Sequence, residues 1–206
     1  MNAKYMLQSG LSAVFLGIVL CAVCPAEGGE LQSRSSNAAR GNPVQMQRPD
    51  LVIPRLEKKI HDLINTERKK KGLPALEWND SLNRIARRYS QDMSERNFFS
   101  HNDPEGKSFI DRYEEEGFEC RLRVANTTCF GAENIAQDNL YRSVLYLDGL
   151  PSYDWNREDE IAASVVTGWM KSKGHQENIL TPYFKRQGIG ISISDNGKVY
   201  VTQNFC

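Results

Sequence analysis

The sequence predicts an α+β domain, because helical patterns fill most of the chain and strand patterns close it. Between residues 54 and 173, apolar residues recur at helical spacing in several segments. Residues 188–205 instead alternate apolar and polar positions on both sides of a tight turn. Helices that precede strands in this way are typical of helices packed on an antiparallel sheet.

Two amphipathic helices are predicted first. Pro54 is suited to open a helix, and Gly72 follows as a stop signal. The apolar face of this first helix comprises Leu56, Ile60, Leu63 and Ile64, and His61 is expected at the surface or boundary. Asn79 is placed to cap the second helix. The apolar face of that helix comprises Leu82, Ile85, Ala86, Tyr89 and Met93.

The rest of the chain predicts two more helices and a final hairpin. Ser108 starts a short helix that ends at Gly117. Residues 157–173 predict a fourth helix, with Gly174 beyond its end. Residues 141–155 lack a clear period and predict a long loop or a small added hairpin. The turn at 195–197 (DNG) joins the two closing strands.

The N-terminus has the composition of an export signal. Lys4 precedes an almost unbroken apolar stretch at residues 11–23, with small residues near its end. This stretch is short for a spanning helix, which needs about 20 apolar residues. We therefore expect residues 1–26 to be a signal peptide or an uncleaved N-terminal anchor, residues 27–50 a flexible linker, and residues 51–206 the folded domain. The expected location is extracellular, or membrane-anchored facing outside the cytoplasm.

The charge balance argues against a nucleic-acid partner. The chain has 26 basic and 26 acidic residues, so it lacks the strong basic excess of nucleic-acid-binding proteins. Its 40% hydrophobic content is enough for a sizeable core. Contact with a membrane is expected only through an uncleaved N-terminal segment.

Export affects how the cysteines are interpreted. Cys21 and Cys24 would leave with a cleaved signal, and the mature chain would keep Cys120, Cys129 and Cys206. Three cysteines allow three single disulfides, each of which leaves one thiol free. The short loop between Cys120 and Cys129 favours rapid closure, whereas a bridge to Cys206 would stabilise the fold more. The pairing stays open at this point.

Two of the three histidines lie in short junctions bounded by Gly, Ser or Asn. His101 follows one helical segment and His175 follows another, while Glu133 lies between them and Glu177 comes shortly after His175. Imidazole and carboxylate groups at such junctions can converge in a cleft, where they bind a divalent metal or move protons. We predict a ligand-binding cleft from these four residues, with His101 and His175 as metal ligands.

A simpler interpretation of the same residues is structural. Glu133, Asn134, Glu177 and Asn178 could hold loops in place by accepting hydrogen bonds from backbone N–H groups at helix starts. That role would require neither a ligand nor catalysis.

Six short blocks resemble one known family when they are taken in order. They are NTER (65–68), LPALEW (73–78), FSH (99–101), GAENIA (131–136), GHQENIL (174–180) and GIG (188–190). Residues 51–206 thereby resemble the CAP domain of cysteine-rich secretory proteins, antigen 5 and plant pathogenesis-related proteins. The blocks are most similar to those of the prokaryotic secreted branch.

This resemblance implies a three-layer α-β-α sandwich with an antiparallel central sheet and a large cleft. In the animal and plant branch the cleft holds two His and two Glu, and some members bind zinc there. His101, Glu133 and His175 match three of these positions. The fourth position falls in residues 169–172 (WMKS), which contain no acid.

We therefore expect a non-enzymatic binding module for a divalent metal such as zinc, or for a small amphipathic ligand. The alternative is a metal-assisted, protease-like hydrolase, although neither G-x-S-x-G nor H-E-x-x-H is present. A lipid, peptide or cell-surface partner is also expected. The aromatic and apolar residues that could rim a groove for it, or simply pack onto the domain, are Tyr146, Leu150, Tyr153 and Trp155.

Overall fold

The computed structural model describes residues 48–206. The predicted signal or anchor at 1–26 and most of the linker at 27–50 lie outside these residues. The helices are α1 (Ile53–Lys70), α2 (Asp80–Glu95), α3 (Phe109–Glu115), α4 (Glu158–Lys171) and α5 (Lys173–Leu180). The strands are β1 (Glu77–Trp78), β2 (Leu122–Val124), β3 (Thr127–Cys129), β4 (Ala132–Asn139), β5 (Tyr141–Leu147), β6 (Leu150–Trp155), β7 (Arg186–Ile193) and β8 (Lys198–Phe205).

The central sheet has the strand order β1-β7-β8-β4. The β7–β8 and β8–β4 pairs are antiparallel, and the two-residue strand β1 joins the edge in parallel. Helix α2 packs on one face, while α1 and α4 pack on the other. This arrangement confirms the predicted α+β, three-layer α-β-α sandwich, with a short parallel strand added to its antiparallel sheet.

Side-chain alternation on β8 builds both halves of the core. Val199, Val201 and Phe205 face the layer of α1 and α4, whereas Tyr200 joins Tyr89 and Met93 of α2 on the opposite face. Successive residues of a strand point to opposite faces, so one strand supplies both layers. All five predicted apolar positions of α2 are buried.

Several elements differ from the sequence prediction, and one alternative that the sequence left open is resolved. Gly174 lies beyond the end of α4, as predicted, but it falls inside a further helix, α5, which the pattern did not predict. Strand β4 contains GAENIA residues, and the hairpin β2–β3 precedes it; neither was predicted. Residues 141–155 form an antiparallel hairpin, which we call the ribbon, so the second of the two alternatives is confirmed for them.

A disulfide joins Cys120 to Cys206, with their Cα atoms 5.7 Å apart, and Cys129 forms no disulfide within residues 48–206. The bridge closes a long loop and ties the C-terminal residue to the segment that precedes β4. Within residues 48–206, no helix is both long and apolar enough to cross a membrane.

A buried polar chain crosses the apolar core. His61, which is 5% exposed, lies on α1 with Nδ1 2.9 Å from the Gln187 amide nitrogen. Gln187 accepts a hydrogen bond from Gln203, and Gln203 in turn accepts one from Asn134 on β4. His61 is therefore a core residue, contrary to the surface position that the sequence suggested. Burial lowers its pKa to about 4.

Helix α2 lies against β7 at two glycines. A Cβ on Gly190 would lie 1.9 Å from the backbone nitrogen of Arg87, and a Cβ on Gly188 would lie 2.1 Å from that of Asn83. These are backbone contacts that cannot yield, so any side chain would force α2 away from the sheet. Gly168 on α4 differs, because nothing lies within 4 Å of its Cβ position.

Gly190→Ala should destabilise the fold by about 3 kcal/mol or more, because overpacking displaces a whole helix. Gly168→Ala is the matched control, and it should stabilise the protein by about 0.5–1 kcal/mol because Ala favours the helical backbone. Urea unfolding followed by circular dichroism measures both. Equal stability of the two variants would contradict the close α2–β7 contact.

The low pKa of His61 makes stability depend on pH. Neutral His61 contributes fully above about pH 6.5, and the contribution is lost as pH falls from 6.5 toward 4, where the folded protein also takes up the proton. The loss should reach about 3 kcal/mol. Urea unfolding at a series of pH values measures it as the difference between wild type and His61→Gln. Parallel pH profiles for the two proteins would rule out this effect.

Candidate functional site

The site is built at the start of β4, an edge strand of the described sheet. Glu133 and Asn134 are neighbours in this strand, so their side chains point to opposite faces. Glu133 meets groups from the layer of α2 and α3, and Asn134 meets groups from the layer of α5. The edge of the sheet is thus where side chains from both layers approach each other.

Glu133 is a buried carboxylate with two partners. Its side chain is 1% exposed, with Oε1 3.0 Å from Nδ1 of His101 and Oε2 accepting a 2.7 Å hydrogen bond from Arg112. A carboxylate taken out of water is strongly destabilised unless it is paired. The Arg112 guanidinium supplies that pairing, and His101 occupies the second oxygen.

Arg112 is held in place by more than its ion pair. Its guanidinium carbon lies 3.3 Å from the ring centroid of Tyr89, and it donates hydrogen bonds to the backbone carbonyls of His101 and Lys107. The Tyr89 hydroxyl donates a 2.6 Å hydrogen bond to Ser100 O, and burial raises the pKa of Tyr89. Together these contacts fix the loop that carries His101 against α2 and α3.

Asn134 and Asn178 position the helix that carries His175. The amide of Asn134 donates to the backbone carbonyl of His175 at 3.2 Å, and its oxygen accepts a 2.8 Å hydrogen bond from Asn178. Asn178 also donates to Glu133 O, and Trp169 donates to Ile135 O. These donors satisfy the outward carbonyls of the β4 edge, which would otherwise be open to pairing with another chain.

The far end of α5 is held by a fully buried cation. Arg68 of α1 donates to the carbonyls of Ile179 and Thr181 at 2.7 and 2.8 Å, at the C-terminus of the helix. Carbonyls there lack intrahelical partners, and positive charge suits the helix dipole. Helix α5 is therefore fixed at both ends.

The two histidines face each other across the edge. Their ring centroids are 6.4 Å apart with the planes tilted by 46°. His101 is exposed and His175 half-buried. Burial first, and the nearby His101 second, lower the pKa of His175, so its imidazole is neutral at pH 7. Neutral imidazole is the form that binds metals.

The structure brings together three of the four predicted site residues. His101 and Glu133 are in contact, His175 lies opposite, and Glu177 is turned away. The Glu177 side chain is 64% exposed and lies 3.9 Å from Lys173. Among residues 48–206 its carboxylate has no contact with the other three.

Sequence reasoning missed Arg112 and the roles of the two asparagines. Asn134 and Asn178 donate to carbonyls, which differs from the predicted acceptance of backbone N–H bonds at helix starts. Glu133 lies in a strand, and its carboxylate contacts the side chains of His101 and Arg112 in place of backbone N–H groups at a helix start. No motif marks Arg112 in the sequence; the one available signal was that a buried Glu133 would need a cation.

The donor set fits a metal only in part. No group of three or more His, Cys, Asp or Glu side chains within residues 48–206 is arranged to hold one. The two imidazoles are available, however, and Glu133 contacts Nδ1 of His101. A carboxylate partner of this kind commonly orients a metal-ligating histidine. The residues therefore fit two protein ligands, and water or a bound ligand would have to complete the coordination.

These features define a class: an α-β-α sandwich with a cluster of His101, Glu133 and His175 at the edge of its sheet. The chain belongs to the CAP family, described as the cysteine-rich secretory protein family, whose profile matches residues 61–205.

Two curated proteins of Bacillus subtilis are similar in sequence. The uncharacterized protein YkwD and the uncharacterized membrane protein YlbC are each 32% identical over 149 residues, or 72% of this chain. That region is 46% of YkwD and 34% of YlbC, so the chain matches less than half the length of either relative.

Solved structures share the fold. An extracellular SCP-domain protein from Bacillus anthracis is 27% identical with a TM-score of 0.52, covering 74% of this chain and 40% of that one. An outer surface protein from Borrelia burgdorferi is 18% identical with a TM-score of 0.55, covering 77% of this chain and 98% of that one.

His101→Asn should raise the pKa of His175, because it removes the smaller of the two causes that lower that pKa. The pKa should stay below 6.5, since burial is the larger cause of its shift. NMR titration of the His175 ring protons measures this change. An unaltered pKa in the variant would mean that the two rings do not interact in solution.

Proposed function

We propose that this chain is an exported binding module whose cleft, formed by His101, Glu133 and His175, holds a divalent metal. The contact between Glu133 and Nδ1 of His101 carries the proposal. It fixes the orientation of the ring and leaves Nε2 as the ligand atom. Within residues 48–206, Nε2 of His101 makes no hydrogen bond.

Zinc is the metal that suits these donors best. It accepts imidazole nitrogen readily and tolerates open positions filled by water. Two histidine ligands are fewer than the three protein ligands of a typical catalytic zinc site. The site would therefore bind zinc reversibly and present it to an incoming ligand group.

A small amphipathic ligand is compatible with the residues that flank the site in sequence. Phe99 is 47% exposed and Phe130 is 43% exposed. They precede His101 and Glu133 by a few residues. Large exposed apolar side chains next to polar ligand groups are typical of binding sites for molecules with one apolar and one polar end.

Export is supported by the relatives as well as by the N-terminal sequence. The B. anthracis structure is described as an extracellular protein, and YlbC is named a membrane protein. The Cys120–Cys206 disulfide also suits an oxidising compartment. We infer that the domain lies outside the cytoplasm, where it would meet a lipid, peptide or cell-surface partner.

A metal-assisted hydrolase is the second candidate. The paired His101 and Glu133 have the geometry of a base and its orienting carboxylate, at 3.0 Å. Within the described residues, no serine or cysteine side chain contacts His101 as a nucleophile would. Hydrolysis would therefore require a metal-bound water.

Zinc should bind with a dissociation constant in the micromolar range, corresponding to about −8 kcal/mol. The His101→Ala, His175→Ala double variant should lose this binding, because both nitrogen ligands are removed. Isothermal titration calorimetry at pH 7.5 measures the change. Binding should also weaken in acid, because protonated imidazole cannot ligate a metal.

His61→Gln is the matched control, because it removes the one histidine that lies in the core. Zinc binding should be unchanged in it. Zinc heat that persists in the double variant, or is missing from the wild type at several pH values, would overturn the metal proposal. Loss of peptide or ester turnover in His175→Ala with the fold intact would favour the hydrolase.

A further inference from the structure

The tip of the ribbon is an exposed apolar surface far from the candidate site. Among the described large apolar side chains, the three with the greatest exposed fraction all lie there: Tyr146 at 74%, Leu150 at 72% and Leu145 at 64%. Single apolar residues scattered over a surface are normal, but a contiguous exposed apolar patch usually marks an interaction site. The three side chains at the end of this hairpin form such a patch.

The base of the ribbon is fixed to the domain. Tyr153 stacks on Trp155 at 4.7 Å, and Tyr141 packs edge-on against both rings. Arg142 bridges Asp154 and Glu160 of α4. Tyr153 and Trp155 are half-buried, and Trp155 packs against the apolar core while Tyr153 packs on Trp155 and Tyr141. The base of the ribbon therefore packs onto the domain, as the simpler interpretation of the sequence expected. Only the tip is left without a partner among the described residues.

The strand register distributes the exposed side chains over both faces of the tip. Leu145 pairs with Ser152, and Tyr146 pairs with Pro151, so the two apolar side chains point to opposite faces. A flat protein surface could cover one of these faces. A fluid apolar phase that surrounds the tip covers both, and Leu with Tyr is a suitable pair for a membrane interface.

The described part of the chain begins beside the base of the ribbon. Arg48, where the described residues begin, lines a cavity of about 130 Å³ together with Tyr141, Tyr153 and Trp155 at the ribbon base. The apolar segment at residues 11–23 lies upstream, beyond the predicted linker. If that segment is embedded, the membrane is joined to the ribbon end of the domain.

The span of the predicted linker is similar to the length of the ribbon. A flexible linker as long as residues 27–47 would span about 25 Å on average. A strand of seven residues such as β5 reaches about 23 Å from its base. The tip can therefore touch the surface to which the linker is attached, and tethering gives it a high effective concentration there.

We infer that the ribbon tip, formed by Leu145, Tyr146 and Leu150, inserts into the interface of an electrically neutral lipid bilayer. Charge favours the neutral surface: Arg142, the one cation of the ribbon, is paired with Asp154 and Glu160, and Asp148 is the remaining charge of the ribbon. The inference shares with the proposed function only the export of the domain, and it does not depend on metal binding.

The test uses the full chain made by cell-free synthesis under oxidising conditions with phosphatidylcholine vesicles. Tyr146→Trp places a fluorophore at the tip, and Tyr183→Trp is the control. Tyr183 is also exposed but lies before β7, at the end of that strand opposite the ribbon. Brominated phosphatidylcholine should quench the fluorescence that Tyr146→Trp adds and leave unchanged the fluorescence that Tyr183→Trp adds. Flotation of the vesicles reports anchoring separately.

A second variant tests the same contact without a fluorophore. Leu145→Ser, Tyr146→Ser and Leu150→Ser combined should lower vesicle binding of the exported, processed chain about tenfold or more, because the apolar tip surface is lost. Binding should be equal in low and high salt. Equal quenching in the tip variant and its control, a requirement for anionic lipid, or tip-dependent dimers in place of vesicle binding would each overturn the inference.

Discussion

The buried carboxamide of Asn134 is the contact on which the geometry of the candidate site depends. It is fully buried and joins β4 to β8 through Gln203, and to α5 through Asn178 and the carbonyl of His175. Its neighbour Glu133 points to the opposite face and holds His101. One dipeptide therefore sets where both histidines lie. An amide can do this because it donates and accepts at once, whereas an apolar residue would leave several buried polar groups without partners.

Glu133 illustrates why the site needs more than its matching residues. A carboxylate group that is 1% exposed is destabilising unless nearby groups replace its lost hydration. Arg112 does so, and Arg112 in turn is fixed by the face of Tyr89 and by two carbonyls. The exposed His101 ring is thus positioned by a sequence of contacts that starts in the core of α2. A substitution at Tyr89 would therefore change the position of the His101 ring, although the two side chains have different surroundings.

The sequence predicted those parts of the fold that have strong periodicity. The buried face of α2 and the closing hairpin repeat their patterns over several turns or residue pairs, so local spacing identifies them. Helix α5 was not predicted because Gly174 resembles a helix stop signal. The helix is held in place by tertiary contacts from Arg68 and Asn134. Convergence of His101, Glu133 and His175 could be expected both from the junctions in which these residues lie and from the resemblance. Arg112 and the exclusion of Glu177 could not, since both follow from which face a side chain occupies.

The candidate site and the ribbon lie at opposite ends of the central sheet. Glu133 pairs with Asn204 near one end of the β4–β8 ladder, whereas Asn139 pairs with Lys198 at the other, where the ribbon begins. Six residues of strand put about 20 Å between them. If the ribbon end faces a bilayer, the cleft at the opposite end faces away from it and stays open to ligands from outside the cell. The rigid sheet then acts as a spacer, because the disulfide and the polar chain from His61 to Asn134 limit its deformation. A ligand bound at His101 and His175 would thus be held at a defined height above the membrane.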